Sequence, residues 1–461
     1  MSSRLTPSTL MLLGALSVVL AGCGLVRGYN NYAEGPSAPG GETSVNVQGP
    51  GAFSQPAANL STDEVARFRV GDDFFTEPWV EASTGSPERD GLGPTFLATS
   101  CAACHIGDGR SSAPGADSDE SIGVLGFTNG HGGRAILDDY ADQLQAFGIP
   151  SVPSEGSFSV DWVEISGEYA DGTPYVLRRP EVRATGNFSD LSDRTALSVR
   201  LAPQLIGLGL LEAIATEEIV SGADPDDADG DGVSGRLHYV RPLGSDVEVL
   251  GRFGHKANVA SVEDQTAIAY LRDLGITSPL LPGENCPPVQ AACRDAESGG
   301  FPEIGDERFD DVVFYTQTLA VPSRPFAEDA SVIEGSKIFE SLGCDSCHVR
   351  RWTTGDHEIE ALSNQTIYPY TDLLLHDMGE GLSDGRSDGD AAAREWKTPA
   401  LWGLGLTRTV NSSAGFLHDG RARTIEEAVL WHGGESEVAR NAFAALSEGD
   451  RERVINFLKS L

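Results

Sequence analysis

The sequence has 461 residues, enough for roughly two or three domains with their own cores. With 40% hydrophobic, 22% charged and 7% aromatic residues it has the balance of a soluble globular chain, which excludes a multi-span membrane protein, a coiled coil and a wholly disordered polymer. A net charge of −36, with 33 basic residues of which only Lys256, Lys337, Lys397 and Lys459 are lysines, argues against nucleic acid, whose binding rests on neutralising cations. A small basic protein is the natural complement to such a surface, with solubility in a salty habitat as the alternative.

In chain order, Arg4 and the apolar run from Leu10 to Leu20 predict an export signal over residues 1–22, too short for a transmembrane helix. The run ends in Leu20-Ala21-Gly22-Cys23, which resembles the lipobox of bacterial lipoproteins. That resemblance implies cleavage before Cys23, acylation of its sulfur and stable membrane anchoring. Gly24, with no Asp after the cysteine, points to the outer membrane, facing the periplasm or the outside. Residues 23–60, rich in Gly, Pro, Ser and Asn, read as a flexible tether.

A long unit is expected over 61–330. Within it, the segments Phe158–Ile165 and Tyr175–Leu177 flank the turn-like Asp171-Gly172-Thr173-Pro174 and predict a β-hairpin inserted among helices. A second unit is expected over 331–461. Val332, Gly335, Phe339 and Leu342 recur at helical spacing, with Gly335 allowing close approach of another helix. The last segment opens with Ser447 as N-cap and carries Val454, Leu458 and Leu461 on one stripe.

The seven cysteines divide by context. Cys23 takes lipid. Cys286 and Cys293 are expected to pair in an oxidising compartment. The remaining four sit in Cys101-Ala102-Ala103-Cys104-His105 and Cys344-Asp345-Ser346-Cys347-His348. C-x-x-C-H attaches c-type haem: two thiols take the porphyrin vinyl groups and the adjacent imidazole reaches the iron. A bare C-x-x-C also suits a redox disulfide or half a zinc site. Here each pair is followed by His, twice, behind an export signal, so two covalent haems c are expected, with His105 and His348 as iron ligands.

A covalent haem transfers electrons when six-coordinate and reacts with peroxide when one axial position is open. For the second site, Thr424-Ile425-Glu426-Glu427 predicts a helix N-terminus. It would place Ile425, Ala428, Val429 and His432 on one inward face, making His432 a candidate sixth ligand. Met378 is the rival.

The helix-then-C-x-x-C-H order and closing helix resemble a class I cytochrome c domain. The stretch from Phe416 through His418-Asp419-Gly420-Arg421 to Val429 resembles the C-terminal signature of bacterial di-haem cytochrome c peroxidases. There a Met that ligates the electron-accepting haem stands where His432 stands here, so the substitution implies a bis-His haem of lower potential. A closer likeness is to the di-haem oxidoreductase ("thiol oxidoreductase-like") family, relatives of those peroxidases. Its hallmarks are Asp90-Gly91-Leu92-Gly93-Pro94, the segment Arg200–Glu212, Gly251-Arg252-Phe253-Gly254-His255-Lys256-Ala257 and the segment Glu395–Gly405. This resemblance covers roughly 61–461 and implies a peroxide site at the haem on His105, fed from the haem on His348.

Cleaving O–O needs an acid–base group and a polarising partner. Glu212, after an apolar run, is the acid–base candidate, Gln204 could orient peroxide, and Arg200 is a third candidate; His255 is a further possible ligand. Asp227, Asp229, Asp231 and the Val233 carbonyl match the first half of a calcium loop, although His238 stands where the closing Glu belongs. The expectation is a mainly α protein of two class I cytochrome c-like haem domains, the N-terminal one enlarged by a β-containing insertion. It would reduce hydrogen peroxide. The alternatives are a non-enzymatic di-haem electron carrier, or oxidation of a protein substrate by a high-valent di-haem site. Thiol oxidation has no cysteine left to perform it.

Overall fold

The computed structural model describes residues 37–84, 88–115, 124–128, 139–140, 143–188, 191 and 196–461. The export signal, Cys23 and His131 lie outside the described residues. The helices used below are α1 (Thr62–Thr76), α2 (Leu208–Glu212), α3 (Val262–Ala269), α4 (Asp306–Thr318), α5 (Ala330–Ser341), α6 (Ile425–Leu430), α7 (Glu437–Ala444) and α8 (Glu448–Ser460). Helix covers 32% of the chain and the described strands pair only as two-stranded ribbons. The architecture is therefore mixed, not mainly α as expected, because long loops wrap a central cavity instead of closing into helices. No helix among the described residues is long and apolar enough to cross a membrane.

Two helix pairs repeat one another. In the C-terminal pair, a Cβ on Gly335 of α5 would fall 1.9 Å from the Arg453 carbonyl oxygen of α8, so only glycine permits this crossing. One turn on, the Phe339 ring lies 5.2 Å from Phe457 and 6.0 Å from the His348 ring. In the N-terminal pair, a Cβ on Gly71 of α1 would fall 2.2 Å from the Asp311 carbonyl oxygen of α4. Phe75 then lies 5.3 Å from Tyr315 and 6.0 Å from the His105 ring. Glycine, then an aromatic four residues later, is thus the rule in both halves. α1 is capped by Ser61 and Glu64 in a reciprocal box and α8 by Ser447, whose hydroxyl accepts from the Asp450 N–H at 3.3 Å.

The expected hairpin forms, as β1 (Gly156–Glu168) and β2 (Pro174–Gly186) in antiparallel register from Gly156↔Gly186 to Glu168↔Pro174. Its base packs in a small cluster with Leu144 and Val199, while Tyr169 and Leu177 near its tip join the C-terminal core. The tip is fixed there by Tyr169 donating to Glu426 (2.8 Å) and by the Arg451–Asp171 ion pair (2.9 Å). The insertion therefore clasps the two halves together. Two further strands, β3 (Leu375–Asp377) and β4 (Glu395–Lys397), pair His376 opposite Trp396.

The tether expectation fails for its described part. Ala52 and Phe53 are fully buried in a middle core shared with Ile206, Leu210, Leu362 and Trp402. The belt they belong to is hydrogen-bonded through Gln55 to Ala320 and through Pro39 to Tyr368. One phenylalanine buried at a junction outweighs a composition that reads as linker.

Candidate functional site: a cavity lined by both C-x-x-C-H motifs

The two motifs fold alike. Cys101–Ala103 and Cys344–Ser346 each make one 3-10 turn, and the N–H of each histidine donates to the carbonyl of the first cysteine, at 2.9 Å for His105 and 3.0 Å for His348. Cys101, Cys104, Cys344 and Cys347 are all free thiols. Cys286 and Cys293 form a disulfide, as expected. Each histidine then donates its Nδ1–H to a carbonyl distant in sequence, His105 to Pro203 (2.8 Å) and His348 to Tyr370 (3.0 Å). That bond fixes the tautomer and leaves Nε2 as the free ligand atom. Burial pulls both imidazoles down to about 4, so both are neutral at pH 7.

Both motifs line one continuous cavity of about 780 Å³ with largely apolar walls. Arg110, Arg200, Arg272, Arg386, Lys397 and Arg440 also line it, a concentration of cations in an acidic protein. Two pairs of free thiols, two oriented imidazoles, apolar walls and cationic groups suited to carboxylates are the donor set that two haems c require. The residues fit the group.

At the C-terminal motif, α6 begins at the Thr424 cap, whose hydroxyl accepts from the Glu427 N–H at 3.1 Å. The Glu427 carboxylate bonds the Arg423 N–H instead of closing the box on Thr424. The helix stops at Leu430, so His432 lies just past its end. His432 donates Nδ1–H to the Ala428 carbonyl (2.8 Å), satisfying one of the helix's terminal acceptors and again leaving Nε2 free. It lines the cavity and lies close enough to His348 to oppose protonation there, second only to burial. Met378 also lines the cavity, with its sulfur 3.8 Å from the Ser436 hydroxyl. His376 is no rival, since its two ring nitrogens contact Asp372 and Glu435, each at 2.8 Å. Burial opposes its charge, but the two carboxylates and Cys347 push it up to about 12. Cys347, Asp372 and His376 thus sit together as the second thiol of the C-x-x-C-H motif beside a bound imidazolium.

Near His105 the expected acid–base group is elsewhere. Glu212 does not line the cavity. It accepts from the Val262 N–H (2.8 Å), at the start of α3, and from Gln317 (2.7 Å), with His357 at 3.7 Å. Burial raises its pKa, yet these partners together hold it below the ordinary value, so it is a bound carboxylate joining α2, α3 and α4. An apolar run before a Glu signals burial, not which side of the helix faces the cavity. Gln204 does line the cavity and donates Nε2–H to the Trp402 carbonyl (2.7 Å). Arg200 lines it too, but its guanidinium is committed to Asp384 (2.7 Å) and Asp388. His255 lines the cavity with Nε2–H donated to the Leu201 carbonyl (2.9 Å), and burial near Arg200 takes it down to about 3.

The chain matches the family described as "di-haem oxidoreductase, putative peroxidase" over residues 33–132 and 169–461. This chain belongs to the di-haem oxidoreductase family. No curated protein matches it. The first strand of the clasp lies in the stretch the family match leaves out. Membership implies two haems for this oxidoreductase, in agreement with the two motifs.

The oxidoreductase also has cavity residues that carried no sequence-stated role. Trp396, Lys397 and His418 line the cavity, and Lys256 lies against Trp396. All four stand within the family motifs quoted above, which was the available signal. The Asp227, Asp229 and Asp231 carboxylate oxygens converge within 4.8 Å, and Asp231 and Val233 border the cavity. Each carboxylate also accepts a loop N–H, from Gly232, Asp231 and Val233 respectively, which orders the loop.

Proposed function

We propose that this oxidoreductase reduces hydrogen peroxide at the N-terminal haem, with electrons relayed from the C-terminal haem and donated by a small basic electron-transfer protein. Each haem is assigned to one class I cytochrome c-like unit, built on the α1–α4 and α5–α8 pairs. The observation that carries the reading is an asymmetry. His348 has a second imidazole, His432, acting on it with Nε2 free, whereas among the described residues no other histidine contributes to the shift at His105. One closed, electron-accepting site and one open site is the arrangement a di-haem peroxidase needs.

Haem c, when bound, would supply redox-active iron and the electrons for O–O cleavage. The chain supplies the rest. The Pro203 carbonyl holds His105 as a neutral ligand of fixed orientation. The Trp402 carbonyl accepts a hydrogen bond from the Gln204 amide N–H, which leaves Oε1 to accept one from a peroxide O–H. The apolar walls exclude water from the reacting oxygens. Support for a lipid-anchored envelope location is the Leu20–Cys23 pattern, and support for a basic donor is the charge of −36.

The test is turnover of the haem-loaded protein with a reduced basic cytochrome c. Oxidation of two carriers per peroxide, as the O–O bond becomes two waters, is the expected result. No peroxide-dependent oxidation would leave only an electron carrier.

A further inference from the structure

Trp396 sits in an unusual electrostatic setting. Its ring lines the cavity and is 8% exposed. The Lys256 Nζ lies 3.8 Å from the ring centroid and the Arg200 guanidinium 5.3 Å from it. The His418 imidazole stacks on the ring at 3.8 Å and 12°. Lys256 is fully buried, and its Nζ donates to the carbonyls of Ala392 (2.8 Å), Ala393 (3.1 Å) and Glu395 (2.7 Å). Burial pulls this amine down to about 7, but three acceptors call for three N–H donors, which only the ammonium form has. The Trp396 Nε1–H donates to the Leu382 carbonyl at 3.0 Å.

These contacts decide what an oxidant in the cavity meets. Removing one electron from an indole leaves a radical cation, which becomes neutral only by losing the Nε1 proton. A backbone carbonyl accepts that hydrogen bond but cannot take the proton. The positive charge would therefore stay on the ring, beside an ammonium at van der Waals distance, the guanidinium beyond it being already paired with Asp384 and Asp388. A cation over an aromatic face is attracted to the neutral ring and repelled by the oxidised one. Stacked His418 is held neutral by burial, and the Asp384 carboxylate, 4.0 Å from the Lys256 Nζ, is shared with Arg200 at 2.7 Å, so it offsets the ammonium only in part.

We propose that Lys256 keeps Trp396 reduced, so that oxidising equivalents generated in the cavity stay on the haems instead of escaping into the protein through this indole. Lys256 is on this account a positioning residue, acting through Trp396. The proposal rests on the peroxidase reading for its physiological oxidant but not for its test.

The haem-loaded wild type, Lys256→Met and Lys256→Arg are exposed to peroxide without donor, and oxygenation of Trp396 is measured by peptide mass spectrometry against Trp402, another indole lining the cavity. Lys256→Met should show about tenfold or more oxygenation of Trp396 over wild type, with Lys256→Arg near wild type. Equal oxygenation in folded Lys256→Met and wild type would overturn the proposal. A parallel arm uses photogenerated tris(bipyridine)ruthenium(III), a cationic one-electron oxidant suited to the acidic surface. The same ranking is expected there even if the protein does not react with peroxide, which separates this proposal from the function. Should Lys256→Met not fold, rapid-freeze EPR of the oxidised wild type decides: no indole radical is expected, and one that vanishes in Trp396→Phe refutes the guard.

Discussion

At the scale of single residues, three histidines share one device. His105, His348 and His432 each give Nδ1–H to a backbone carbonyl and keep Nε2 free. The first two were legible because C-x-x-C-H is contiguous; their carbonyl partners, Pro203 and Tyr370, were not, because no local pattern links positions so far apart. Replacing His432 by Ala should convert the C-terminal haem from low-spin to high-spin in EPR of the loaded, oxidised protein; an unchanged low-spin signal would shift the ligand to Met378. A second residue-scale prediction concerns the buried pair Arg200–Asp388. Burial alone would raise the Asp388 pKa, but Arg200 and Arg386 outweigh it and hold the carboxyl at about 2. Such a depressed carboxylate stabilises the fold above its unfolded value, ~3.9, and loses that contribution as pH falls through about 2. Asp388→Asn should therefore cost about 3 kcal/mol at pH 7, leaving Arg200 partly uncompensated. The gap from wild type in denaturant unfolding should narrow between about pH 4 and 2. A gap independent of pH would contradict the pairing.

At the scale of elements, the pattern of glycine and aromatic four residues apart sets each helix crossing and brings an aromatic ring to each haem histidine. This was legible for α5 and α8, whose apolar positions recur at helical spacing beside the motif. It was missed for α1, because Phe75 and Cys101 are separated by a loop that breaks the register. Gly335→Ala forces a Cβ to 1.9 Å from the Arg453 carbonyl oxygen and 3.0 Å from Phe457, so α5 and α8 must move apart. A loss of about 3 kcal/mol in unfolding free energy is expected, and a loss below about 0.5 kcal/mol would mean the crossing tolerates a side chain. The hairpin was legible from its alternating strands and turn. Its role as a clasp was not, since the partners Glu426 and Arg451 lie far along the chain. The buried belt at 37–60 was hidden for the converse reason: its composition is that of a linker, and only packing reveals Phe53.

At the scale of the whole molecule, an acidic exterior encloses a cavity whose walls gather arginines and Lys397. On the proposed function the two signs serve different purposes: cations inside for the carboxylates of bound haem, anions outside for a basic donor. The rate of reduction by a basic cytochrome c should fall several-fold between about 0.01 M and 0.15 M ionic strength, as the screening length shrinks from about 30 Å to 8 Å. A flat rate would assign the charge to solubility alone. On the proposed function one haem site is closed and the other open to peroxide. EPR of the loaded protein, recorded oxidised and half-reduced, before and after one equivalent of hydrogen peroxide, tests it most directly. The expected result is one low-spin signal from the site of His348 and His432, together with a high-spin signal from the site of His105 that disappears on adding peroxide. Two low-spin signals in both redox states, unchanged by peroxide, would contradict it.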